Sequence, residues 1–241
     1  MTQVIFYGIA SGFSLLIGAG MALYFSFSQK TIARFMAFGS GVLICALTFG
    51  LMEEAFGLGG FDATIIGFLL GGLTFILGDY IILRLGGRHK RNRPDEKTGL
   101  NGQAIVLGAL LDGVPESAAL GIALFAGKGL GFLMLAAIFL SNLPEGISSV
   151  PGLLREKFTK KFVMSMWLVA SVVLALIVVA SYFFLREIDP NNLGIIEAFA
   201  AGAILAMLAD TMMPEAYEEG GATIGIITVL GFIIAFVASR L

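Results

Sequence analysis

Charge is what this 241-residue chain has least of. Only 13% of its residues are Asp, Glu, Lys or Arg, while 58% are hydrophobic, and its mean hydropathy is +0.94. A soluble domain carries about 25% charged residues. So little charge excludes a water-soluble globule, and lipid is the solvent that fits. Cysteine is nearly absent: Cys45 stands alone, which excludes an internal disulfide and leaves the redox compartment open. Histidine is as rare. The single one, His89, sits in a basic stretch, so no imidazole occurs in the apolar segments. No Gly-x-Ser-x-Gly motif is present, which together with the missing histidine argues against an intramembrane hydrolase. Gly-rich runs such as "GFLLGG" (Gly67–Gly72) lack the Lys-Ser/Thr ending of a phosphate loop and read as close helix contacts. The expectation is neither an enzyme nor a binder of an organic cofactor. A cleavable signal peptide is not expected either, because the first apolar segment is too long and has no basic leader.

What is abundant is long apolar runs. A helix needs about 20 apolar residues to cross a bilayer, and eight runs meet that length: 4–27, 32–56, 62–85, 102–126, 129–153, 162–185, 192–217 and 222–240. A β-barrel would need alternating ten-residue strands, which these continuous runs do not provide. The expected fold is an all-α integral membrane protein of eight transmembrane helices forming one domain over 1–241. Only one connection is long and polar, the basic loop at 86–101. Cytoplasmic loops carry an excess of Lys and Arg. With the N-terminus outside, twelve of the fifteen Lys and Arg fall on the cytoplasmic side. Only Lys128, Arg186 and Arg240 fall opposite. That bias predicts a plasma (inner) membrane protein with both termini extracytosolic. Membrane lipid is then a partner, with the Arg88–Lys97 cluster facing anionic headgroups. Topology explains the same cluster, so no nucleic acid is expected. A homodimer is left open.

Two segments resemble each other. "AFGSGVLICALTFGLMEEAF" (Ala37–Phe56) aligns with "AFAAGAILAMLADTMMPEAY" (Ala198–Tyr217), pairing Phe38 with Phe199, Gly41 with Gly202, Met52 with Met213 and Glu54 with Glu215. The second span runs inside to outside and the seventh runs the other way. The expectation is therefore an inverted repeat of spans 1–3 and 6–8 around spans 4 and 5, a 3+2+3 arrangement of the kind found in transporters.

The fourth and fifth spans carry the polar chemistry, in "DGVPES" and "SNLPEG". A charged side chain at the bilayer centre costs about 2.5–3.5 kcal/mol on insertion scales. Asp112 nevertheless lies about 15 Å from the cytoplasmic end of its span at 1.5 Å per residue. Ser141, Asn142 and Glu145 reach a similar depth from the other side. Asp112 and Glu116 are four residues apart, as are Ser141 and Glu145, so each pair shares a helix face. Pro115 and Pro144 cannot donate to the carbonyls of Leu111 and Leu140, and carbonyls freed within a membrane need a partner. Acids, an amide and loose carbonyls at one depth describe a cation site.

These motifs resemble the H-N-x-P-E-G type motifs in the fourth and fifth helices of the ZIP (zinc/iron-regulated transporter-like) metal transporters, and the resemblance extends over essentially the whole chain. It implies divalent metal ions (Zn, Fe or Mn) as the transported substrate, passing towards the cytoplasm between spans 4 and 5. Position by position, it implies metal ligands at Asp112, Glu116, Ser141, Asn142 and Glu145. Asp112 and Ser141 are substitutions of the family's residue types, and Gly113 replaces a bridging ligand. The sixth span, "FVMSMWLVASVVLALIVVASYFFL", contains no acid. One site built from oxygen donors is therefore expected, shifted from zinc towards harder ions, although zinc also binds carboxylates. Glu54, Asp210 and Glu215 are expected along the pathway, the two glutamates at opposite mouths. The alternative is a ZIP-derived membrane protein that binds or senses metal or a partner without transporting.

Overall fold

The computed structural model describes residues 1–84, 102–126 and 129–240; at 102–105 only the backbone is considered. The expected basic loop at 86–101 and Lys128 lie outside the described residues. Among the described residues the chain is helical, with no strand. The helices are α1 (Thr2–Tyr24), α2 (Gln29–Ala46), α3 (Glu53–Arg84), α4 (Gly102–Ala126), α5 (Leu130–Arg155), α6 (Lys160–Leu185), α7 (Pro190–Met207), α8 (Met213–Gly220) and α9 (Ile224–Ala238). A π-helical segment, Leu47–Met52, joins α2 to α3, and a second, Leu208–Met212, joins α7 to α8.

Among the described residues, six helical stretches are long and apolar enough to cross a membrane, and two of them are composite. Gln29–Arg84 covers 56 residues and Pro190–Ala238 covers 49. A straight 56-residue helix would reach about 84 Å, far beyond a hydrocarbon core of about 30 Å. One glycine breaks each stretch. Gly60 adopts φ 66°, ψ −164° within α3, and Gly221 adopts φ 70°, ψ −154° after α8. These angles suit a residue without Cβ. The expected boundary at 57–61 is therefore a one-residue kink.

The two stretches match end for end. A shift of 161 positions (Gln29 to Pro190) carries α2 onto α7, the start of one π segment onto the start of the other, and Gly60 onto Gly221. It also carries the N-cap Ser28 onto the N-cap Asp189. The Ser28 hydroxyl accepts from the Thr31 N–H at 3.1 Å, and Asp189 Oδ1 accepts from the Asn191 N–H at 3.0 Å. Each satisfies an N–H group orphaned at a helix start.

The close pairings are not between sequence neighbours. α3 packs chiefly on α7, and α9 on α2, while α1 packs on both α5 and α6. Small residues explain this choice. Without a hydrophobic driving force in lipid, helices associate where small residues let backbones approach. A Cβ at Gly41 would collide with the carbonyl of Thr228, and one at Gly231 with that of Phe38. The α3–α7 crossing uses the same device, with Gly71 on the Phe199 carbonyl and Gly202 on that of Phe68. Glycines also set α5 on α1: a Cβ at Gly18 would strike the Leu143 carbonyl, and one at Gly146 the Leu15 carbonyl. This last notch adjoins Glu145 and fixes the height of α5.

Candidate metal centre

α4 and α5 pack against each other and bury an unusual set of polar side chains. Glu116 is 1% exposed, Ser141 and Asn142 each 2%, Asp112 7% and Glu145 8%. A hydrogen bond ties the two helices here, from Ser141 Oγ to Glu116 Oε1 at 3.2 Å. The same hydroxyl lies 3.0 Å from the Ile138 carbonyl, and its single proton serves one acceptor at a time. Glu116 Oε2 is buried without a partner. Glu145 and Asp112 are close enough for their charges to act on the Glu116 carboxylate. Leaving a buried polar atom unpaired is costly, and a carboxylate facing two further acids more so. A cation placed among them would relieve both costs.

The acids are near one another without forming a cage. Among the described residues, no group of three or more His, Cys, Asp or Glu side chains is arranged to hold a metal ion. Closing a coordination shell here therefore requires side-chain movement, or ligation completed by Asn142, Ser141 and water.

Several neighbours have other duties. A Cβ at Gly39 would lie 2.9 Å from the Leu140 carbonyl, so the carbonyl freed by Pro144 faces α2, in the manner of a Cα–H contact. Ser148 donates to the Glu145 carbonyl at 3.1 Å and Ser149 to the Gly146 carbonyl at 2.8 Å. Their hydroxyls are thus committed to their own helix. Gly113 abuts α6, where a Cβ would lie 2.6 Å from Leu174 Cδ1. A side chain at the position where the ZIP resemblance has a bridging ligand would therefore have to displace that of Leu174.

The expected pathway acids are dispersed. Glu54 and Glu215 are half-buried, and Asp210, in the second π segment, is exposed. Glu54 lines a vestibule of about 610 Å³ with Glu53, Gly50, Leu130 and Arg240. From there the wall continues to a residue that sequence reasoning missed. Glu197, on α7, is 1% exposed; neither carboxylate oxygen has a partner, and the charge of Glu54 acts on it. The missed signal was one acid in "LGIIEAFAAGA", seven residues inside the helix.

No protein-family model matches the chain, and no curated protein matches it.

Proposed function

We propose that the chain is a ZIP-like transporter or facilitator that moves divalent metal cations towards the cytoplasm, through an oxygen-rich site between α4 and α5. The observation that carries this reading is the buried, unpartnered Glu116 Oε2 beside Asp112 and Glu145. A carboxylate in that position is stabilised by an ion that sheds part of its water for protein oxygens. Oxygen donors favour hard ions of the Mn²⁺ class. Asp112, Glu116, Asn142 and Glu145 bind the ion, and Ser141 holds Glu116 in place.

The accompanying architecture is eight spans in a 3+2+3 arrangement, with α1–α3 and α6–α9 as inverted halves around α4 and α5. The matched π segments and the matched glycines at 60 and 221 support it. Transport proceeds as one half rocks against the other around the central site. Outward of the site, Leu120 and Ile138 are buried at 0% and 1%. The residual exposure of Asp112 and Glu145 lies one turn further towards the cytoplasmic ends of their helices. A cavity of about 430 Å³ near that side is lined by Phe27, Gln29, Ile147 and Pro151.

Uptake into proteoliposomes tests the proposal with Mn²⁺, Fe²⁺ and Zn²⁺ in parallel. Glu116→Gln and Glu145→Gln, which keep side-chain shape, should each reduce uptake at least tenfold. Parental rates in both variants would show that the ion passes elsewhere. The alternative, a ZIP-derived membrane protein that binds or senses metal or a partner without transporting, draws on the lack of histidine in the apolar spans; binding without flux would select it.

A further inference from the structure

We propose that Glu54 and Glu197 form a second cation site, an entry station for a hard divalent ion, separate from the α4–α5 centre. It requires no transport and does not rest on the function proposed above. Three observations carry it. Glu197 is buried with both carboxylate oxygens unpartnered, a costly state for a side chain that ionises. It lines a cavity of about 10 Å³ together with Glu54, Ala46, Gly50, Leu51 and Met134, about the smallest space that holds one water. That cavity shares Gly50, Glu54, Leu130 and Leu133 with the 610 Å³ vestibule, so the two adjoin.

The surroundings select the ligand. Among the described residues, no basic side chain lines the small cavity. The one in the vestibule, Arg240, lies over the rings of Phe49 at 5.8 Å and Phe236 at 5.5 Å. Two carboxylates, with the Met134 thioether as the sulfur in the lining and no imidazole among the described lining residues, favour an ion that takes oxygen ligands, as Mg²⁺ and Mn²⁺ do, its remaining waters lying on the vestibule side. The first π-helical segment supplies Gly50 and Leu51 to the wall, and such segments occur often at functional sites. Ala123 on α4 and Met134 on α5 also line the cavity. Each is seven residues from the central site, at Glu116 and Ser141 respectively, or about 10 Å along its helix. The packed layer between them, with Leu120 and Ile138, separates two stations rather than dividing one.

Mn²⁺ binding to the purified full-length protein in lipid nanodiscs, followed by the paramagnetic resonance of free Mn²⁺, tests the assignment. Glu197→Gln should remove one bound equivalent. Glu54→Gln, in the half-buried vestibule wall and the safer substitution for folding, should weaken the same equivalent at least tenfold. The double variant Glu116→Gln/Glu145→Gln should retain it. Unchanged stoichiometry and affinity in both Glu54→Gln and Glu197→Gln would overturn the proposal, because Glu197 would then be carrying a proton instead. So would a parent protein that binds no Mn²⁺. If the double variant binds as many ions as the parent while Glu197→Gln loses one, the entry station stands and the central site fails.

Discussion

Gly113 shows how much one missing side chain decides. In the Pro-Glu motif of α4 it stands between Asp112 and Glu116, where the ZIP resemblance implies a further donor to the proposed site. The residue that fills the space instead is Leu174 of α6, 2.6 Å from where a Cβ would stand. Any larger residue there must displace the Leu174 side chain. Gly113→Asn should destabilise the protein by about 1–3 kcal/mol, the usual result of overpacking a filled core, without adding a bound ion. Adding Leu174→Ala should recover much of that loss by opening the space. Thermal melting in detergent reads the stability, and metal stoichiometry reads the site. Ser141 acts more gently. Ser141→Ala removes the bond to Glu116 Oε1 and should cost about 1 kcal/mol of stability, within the range for a buried hydrogen bond.

The helical elements carry the repeat more clearly than single residues do. The likeness of Ala37–Phe56 to Ala198–Tyr217 was readable because both keep an aromatic, a glycine and a Glu-Ala-aromatic ending at one spacing. The π-helical segments inside those stretches were not readable, since an inserted residue in a helix leaves no compositional mark. Glu197 escaped for a related reason. It stands one residue before the matching segment opens, and the residue 161 positions earlier is Met36, so symmetry offered no prompt. The α4–α5 acids were legible because a charge in an apolar run is rare; that Leu140's carbonyl faces α2 was not, because crossing geometry depends on glycine contacts far apart in the chain. At the breaks, Gly60 and Gly221 hold a backbone region nearly confined to glycine, and neither has an atom within 4 Å of a built Cβ. Gly60→Ala and Gly221→Ala should therefore each cost about 1–3 kcal/mol through backbone strain alone. Similar losses at the two positions are what a shared architecture requires, and chemical denaturation in mixed micelles compares them directly.

For the molecule as a whole, the decisive matter is which side of the membrane each half faces. The expected topology, with twelve Lys and Arg on one side against three on the other, proposes an orientation, and the match between Gln29–Gly60 and Pro190–Gly221 leaves the relation of the halves to be measured. If the halves are inverted, the break at Gly60 opens to the outside and the break at Gly221 to the cytoplasm. If they are parallel, both breaks open to the same side and no rocking motion can alternate access between them. The protein suits a direct measurement. Its one cysteine, Cys45, is fully buried and should not react with a membrane-impermeant thiol reagent. Gly57 and Gly225 flank the two breaks and have no atom within 4 Å of a built Cβ, so a cysteine fits at either. Gly57→Cys should be labelled from outside, along with Thr2→Cys at the N-terminus. Gly225→Cys should be labelled only in inverted vesicles, along with Asn92→Cys in the basic loop. Labelling of Gly57→Cys and Gly225→Cys from the same side would refute the inverted arrangement, and with it the physical basis for moving an ion past Glu116 by exchanging one closed mouth for the other.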